Sequence, residues 1–185
     1  MTLLARASAG EPEAFAVVVE RYAPSLERYV GSLLAGRPQD AEEALQEGLL
    51  AAWRHLAGGG RVAHPRAWLY RVVRHAAWRR VRRRAGEPEH FEPLERLGER
   101  AGWGAGHNPE ALSSLLESEV ALKEALAGLS ETDREAVWLR DVEGLSGPEA
   151  AEAVGLPLAA FKSRLHRARL RLRARLQQML QGGSS

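Results

Sequence analysis

The 185-residue sequence contains no cysteine. Disulfides, thiolate metal sites and a cysteine nucleophile are therefore excluded, and the redox compartment is left open. No apolar run approaches the roughly 18 residues of a membrane-spanning helix, so no membrane insertion is expected. The first 20 residues carry Glu11, Glu13 and Glu20 and no long apolar stretch, which is unlike a secretory signal. A cytoplasmic protein is the resulting expectation. β-branched residues are sparse, and neither a hairpin signal nor an internal repeat appears. The six histidines show no His-x-x-x-His spacing, and there is no phosphate-binding glycine loop or nucleophile elbow. No cofactor, metal site or catalytic residue is expected, and the chain does not read as an enzyme.

What is present is a chain able to fold, with 45% apolar and 27% charged residues. Its net charge of +2 conceals a strong partition. Residues 61–84 hold 9 basic side chains and no acid, and residues 162–175 hold 7 and no acid. Residues 1–60 hold 5 basic and 8 acidic side chains, and residues 85–161 hold 5 and 16. Two basic blocks separated by an acidic stretch suggest two contacts with a polyanion.

Periodicity gives an all-α fold of two small helical domains joined by a flexible linker. Ala14, Phe15, Val18, Val19, Tyr22, Leu26 and Tyr29 form one helical stripe, with Pro24 as a boundary or kink. Asp40 reads as the N-cap of the next helix, which Gly58-Gly59-Gly60 ends. Pro65 opens a third helix to about Arg84, with Leu69, Val72, Val73, Ala76 and Ala77 inward. Residues 85–114, with five glycines and three prolines, read as the linker, holding at most a short helix at Glu92–Gly98. Beyond it, Leu115–Ala127 is a helix and Ser130 with Asp133 caps another, which Gly144 ends. Ser146 with Glu149 then caps a short helix, and Gly155 turns the chain into a last helix from Leu158 to about Gln181. The domains are thus 1–84 and 115–181.

Three segments carry function. Gly147–Arg171 has the helix-turn-helix layout, in which the second helix offers its N-terminal residues to the major groove. Those residues are Ala159, Ala160, Lys162, Ser163, His166 and Arg167, with Leu158, Phe161, Leu165 and Ala168 on the core-facing stripe. Arg169, Arg171, Arg173 and Arg175 are placed for phosphates or solvent. Pro65–Arg84 interleaves arginines with Trp68, Tyr70 and Trp78, a pattern suited to stacking unpaired bases while holding their backbone. Trp68 serves equally well as a core residue. Asp40–Trp53 is amphipathic, with Glu43, Gln46 and Glu47 on a polar side fit to dock on a basic helix.

Taken together, EAFAVVVERYAPSLERYV (13–30), DAEEALQEGLLAAW (40–53), PRAWLYRVVRHAAWRRVRRR (65–84) and LSETDREAVWLRDVEGLSGPEAAEAVGLPLAAFKSRLHRARLRLR (129–173) resemble bacterial RNA polymerase sigma factors of the extracytoplasmic-function group. The resemblance covers nearly everything but the linker, and the order and spacing of four segments make it specific. It implies a dissociable initiation subunit whose partners are core polymerase (β′ clamp helices and β flap), promoter DNA and an anti-sigma protein. It assigns core binding to Asp40, Glu43, Gln46 and Glu47, though relatives often carry Asp where Glu43 stands. It assigns −10 DNA to His64, Trp68, Arg71, Arg74, His75, Trp78 and Arg79. His75 replaces a usual Asn, which changes the donor and acceptor pattern. The Gly58–Pro65 loop matches the part that encloses a flipped base, and its three glycines are expected to leave it pliable. The −35 contacts map to Ala159, Ala160, Lys162, Ser163, His166 and Arg167. Ala159-Ala160 stands where Gly-Thr is common and Phe161 where Val is common. The two promoter elements lie roughly 50–70 Å apart at ~34 Å per turn. A relaxed linker coil spans only about 30 Å, but an extended one reaches about 100 Å.

Two other readings fit less of the chain. A dimeric duplex-binding regulator leaves Pro65–Arg84 and Asp40–Trp53 without work. A helical enzyme needs convergent titratable residues, which the sequence does not offer.

Overall fold

The computed structural model describes residues 3–9, 11–34, 36–82 and 119–182. The linker at 85–114, its short helix at Glu92–Gly98, and the starting point of the helix at Leu115 lie outside the described residues. Among those described there is no strand, and the all-α expectation holds. No helix among the described residues is long and apolar enough to cross a membrane.

The described helices are α1 (Leu3–Ser8), α2 (Pro12–Leu33), α3 (Pro38–Ala57), α4 (Pro65–Arg82), α5 (Glu119–Ala127), α6 (Glu131–Val137), α7 (Gly147–Val154) and α8 (Leu158–Gly182). A π-helical turn, Trp138–Val142, continues α6. Helix α1 has no counterpart in the sequence reading. Pro24 neither ends nor interrupts α2. Asp40 is not the N-cap of α3: Arg37 takes that place, Pro38 opens the helix, and Asp40 lies in its first turn. A fixed φ and a missing N–H cost nothing at the first helical position, so proline sets the boundary ahead of aspartate.

The chain forms two compact units, one of residues 1–87 and 138–161, the other of 88–137 and 162–185. In the first, α2, α3 and α4 pack around Leu26, Tyr29, Leu33, Leu56, Leu69, Tyr70 and Val73, all at most 1% exposed. Tyr29 and Tyr70 meet edge to face at 5.2 Å between ring centres, an arrangement the aromatic quadrupole favours. Gly48 of α3 lets α4 approach closely, since a Cβ there would lie 2.8 Å from Val73 Cα.

The same unit contains α7, which packs on α4. Its join is a buried carboxylate. Glu143 accepts from the Tyr70 hydroxyl at 3.0 Å, from Trp138 Nε1 at 3.2 Å and from Arg28 at 3.4 Å. Arg66 donates to the Glu143 carbonyl. Burial, then the neighbouring Glu143 charge, pushes the Tyr70 hydroxyl well above the usual phenol range, so it stays a donor. Tyr70, read from sequence as a stacking platform, is instead fully buried and unavailable to a base.

The expected capping box is present. Ser146 Oγ accepts from the Glu149 N–H at 3.3 Å, and Glu149 accepts from the Ser146 N–H at 2.8 Å. Gly155 ends α7 at φ +71°, where a side chain would be strained.

In the second unit, Ser130 Oγ accepts from the Asp133 N–H at 3.2 Å, again as expected. The Asp133 carboxylate then takes Arg171 of α8. The Arg175 guanidinium lies against Gly128, where a Cβ would overlap it. Spacing alone assigns Arg171 and Arg175 to phosphates or solvent; Arg175 is exposed as expected, whereas Arg171 is half-buried and paired within the unit.

Candidate nucleic-acid interface

Three surfaces follow from these elements. The first is the polar side of α3. Asp40, Glu43 and Glu47 recur at three- and four-residue spacing, which sets them along one side of the helix. Gln46 lies beside them, exposed, and its amide donates to Glu42 at 3.3 Å. The carboxylates do not stand alone. Arg80 of α4 donates to Glu47 at 2.7 Å and to Glu43 at 3.0 Å, and Arg79 donates to Glu47 at 2.5 Å. Bonds first to Glu47 and then to Glu43 raise the already high pKa of Arg80 further. The close approach at Gly48 brings these side chains within reach. No sequence signal marks Arg80 as a partner of α3, where it and Arg79 both reach Glu47.

The second surface is the outward side of α4 together with the preceding loop. Ala67, Leu69, Tyr70, Val73, Ala76 and Ala77 face inward. Arg71, His75 and Arg79 are exposed, while Trp68, Arg74 and Trp78 are half-buried. Arg74 sits over the Trp78 ring at 5.3 Å, a cation–π distance. Trp68 packs at 5.4 Å on His55 of α3. It is therefore neither a core residue nor a free platform, but one side of a ring pair.

His64 is exposed, and its carbonyl accepts the Trp68 N–H at 2.9 Å. The glycine run before it carries its own backbone hydrogen bonds. Gly58, Gly59 and Gly60 donate to the carbonyls of Arg54, Leu56 and His55. Gly60 also lies so close to the His55 ring that a Cβ would overlap it. The three glycines, expected to leave the loop pliable, form a hydrogen-bonded helix end beside the His55 imidazole. No sequence signal marks His55, because its partners lie on the loop and on α4.

The third surface is the start of α8. Ala159, Ala160, Lys162, Ser163 and His166 are exposed and Arg167 is half-buried. Phe161, Leu165 and Ala168 are buried on the other side. Leu158, expected on that inner stripe, is 38% exposed. It stands at the helix's first position beside Gly147, where one turn of periodicity places a side chain poorly. Every other residue of the split falls where the 3.6-residue period puts it. Exposed small residues, a hydroxyl, an imidazole and two cations on one helical side can reach base edges and phosphates.

No group of three or more His, Asp or Glu among the described residues could hold a metal ion.

Comparison with known proteins gives a consistent picture. The family described as Sigma-70 region 2 matches residues 18–87, and Sigma-70, region 4 matches residues 119–172. The chain is 32% identical over 180 residues to the RNA polymerase sigma factor CnrH of Cupriavidus metallidurans, covering 94% of this chain and 92% of that one. It is 33% identical over 181 residues to the ECF RNA polymerase sigma factor SigM of Mycobacterium tuberculosis, covering 98% and 86%. Among solved structures it is similar to CnrH in complex with the cytosolic domain of CnrY, with a TM-score of 0.64, 28% identity and coverage of 98% and 97%. It is also similar to the sigma factor RpoE in complex with the anti-sigma factor NepR from Bartonella quintana, with a TM-score of 0.62, 25% identity and coverage of 88% and 96%.

Proposed function

The chain belongs to the extracytoplasmic-function sigma factors, and on that premise we propose how its residues divide the work of starting transcription. Residues 1–84 bind core polymerase and open the −10 element. Residues 115–181 read the −35 element as duplex. Residues 85–114 follow an extended path on polymerase and so set the spacing between the two.

In this reading the carboxylates of Asp40, Glu43 and Glu47, with Gln46, dock on a basic surface of the polymerase clamp. His64, Trp68, Arg71, Arg74, His75, Trp78 and Arg79 hold the opened strand. Flipping a base costs a few kcal/mol, so a site that encloses it must offset that cost. The loop bonded at Gly58–Gly60 and propped on His55 favours enclosure, because a preformed pocket loses less entropy on binding. His75 offers an imidazole to the base, so its preference differs from that of a carboxamide. Ala159, Ala160, Lys162, Ser163, His166 and Arg167 enter the major groove.

The observation that carries the reading is the split of α4: an apolar side buried in the first unit, and an aromatic and basic side left at the surface. Aromatic faces stack on bases of any identity and arginines track phosphates, which suits a melted strand better than a duplex. CnrH and RpoE were solved with CnrY and with the anti-sigma factor NepR, and an anti-sigma protein is the corresponding partner in trans here. The protein acts in the cytoplasm, where polymerase is.

Run-off transcription with bacterial core polymerase on a promoter library tests the proposal. Start sites that appear only with this chain support it and yield both elements. No new starts, together with tight duplex binding by the chain alone, favour a self-sufficient regulator.

A further inference from the structure

The polymerase-docking residues and the nucleic-acid helix are not independent surfaces. Glu47 takes both Arg79 and Arg80, and Arg80 is bound again by Glu43. Arg80 spends separate guanidinium nitrogens on the two carboxylates and is only 20% exposed. A guanidinium fork filled by carboxylates is the same fork a phosphate would use. The carboxylates also place negative charge where a phosphate would approach, which adds repulsion to competition.

We propose that Glu43 and Glu47 serve two partners in turn. In the unbound chain they hold Arg79 and Arg80; a basic polymerase surface that takes the carboxylates releases both arginines to the phosphates of the opened strand. Arg80 is thereby a further nucleic-acid contact, available only after docking. The proposal rests on the functional reading of α3 and α4 given above. By linkage the effect is reciprocal, so a bound strand strengthens polymerase docking by the same factor. Partly exposed ion pairs are individually weak, but three that share four side chains break together.

The test measures binding of the full chain, without polymerase, to a labelled mixed-sequence single strand of 20 nucleotides by fluorescence anisotropy across a salt series. E43Q/E47Q is expected to tighten binding about fivefold or more. Two extra phosphate contacts should also steepen the log–log salt slope by about 1.4. E20Q/E27Q removes the same charge from exposed positions on α2 and is the control, with at most about a twofold gain expected from net charge alone. The gain must vanish in the R79A/R80A background.

No gain from E43Q/E47Q, an equal gain in the control, or a gain that survives R79A/R80A overturns the proposal. These failures separate from failure of the underlying reading. If R79A/R80A weakens binding and E43Q/E47Q does not strengthen it, α4 remains the nucleic-acid helix and only the sharing falls. If R79A/R80A changes nothing even with both glutamates neutralised, this end of α4 is not a nucleic-acid surface and both fall.

Discussion

Replacing Glu143 by alanine tests the join between α4 and α7 most directly. The side chain is 3% exposed and accepts from three donors. Its loss has unequal consequences for them. Tyr70 is fully buried, so its hydroxyl loses its carboxylate acceptor out of reach of water and keeps only its hydrogen bond with Ser25, at a cost of about 1–3 kcal/mol. Trp138 is half-buried and can turn its N–H toward solvent for less. The Arg28 side chain is 56% exposed and returns to water at almost no cost. A small cavity adds about 1 kcal/mol. Together E143A should destabilise the first unit by roughly 2–4 kcal/mol.

The assay is urea unfolding followed by tryptophan fluorescence, since Trp53, Trp68, Trp78 and Trp138 all lie in that unit. Y70F should cost about 1 kcal/mol, because Glu143 keeps its other donors. The double variant E143A/Y70F should be less destabilised than the sum of the two by about 1–2 kcal/mol, since the hydroxyl that lost its carboxylate is then absent. An E143A protein within about 0.5 kcal/mol of the parent at unchanged slope would refute the argument. So would strict additivity in the cycle.

Gly48→Ala gains about 1 kcal/mol of helix propensity but drives a methyl into the Val73 backbone; a net loss of about 1–2 kcal/mol and weaker binding to core polymerase are expected, read by thermal unfolding and by co-elution with core. Hydrogen bonds from Ser146, its side chain first and its backbone second, hold the Glu149 carboxyl below the usual carboxylate range. Its stabilising effect is therefore complete above about pH 4.3 and is lost as pH falls through the lowered folded-state value. The Tm difference between parent and E149Q should be flat from pH 5 to 7 and shrink below pH 4, and growth of the difference on acidification would contradict this. R167A should weaken −35 duplex binding and relax its sequence preference, whereas R173A should change affinity little, as measured by gel shift on the fragments that run-off transcription identifies. Deleting about half of residues 85–114 should abolish run-off initiation while leaving co-elution with core intact.

Some of this protein was legible without a structure because the determining interactions are local. The Ser146–Glu149 box, the Ser130 cap and the left-handed Gly155 each depend on residues within about four positions, so their spacing in the chain is their geometry. The buried sides of α4 and α8 follow from the 3.6-residue period in the same way. Where two local signals competed, at Pro38 and Asp40, the covalently fixed one set the boundary. A single first-turn residue such as Leu158 fell outside the period's reach.

Residue types and charge partition thus determined the helices, their polar sides and the family likeness. Which polar groups meet was decided only by packing. Tyr70 has the composition of a stacking residue, but it lies on the side of α4 that closes over Tyr29 and Glu143. Arg171 sits in a run of similar arginines, but packing sets it against Asp133, 38 residues away. Arg80 reaches Glu47 across 33 residues because Gly48 brings two helices together. Pairings over such separations depend on the angle and distance between helix axes. These are properties of the assembled core, to which every buried side chain contributes and which no short segment encodes.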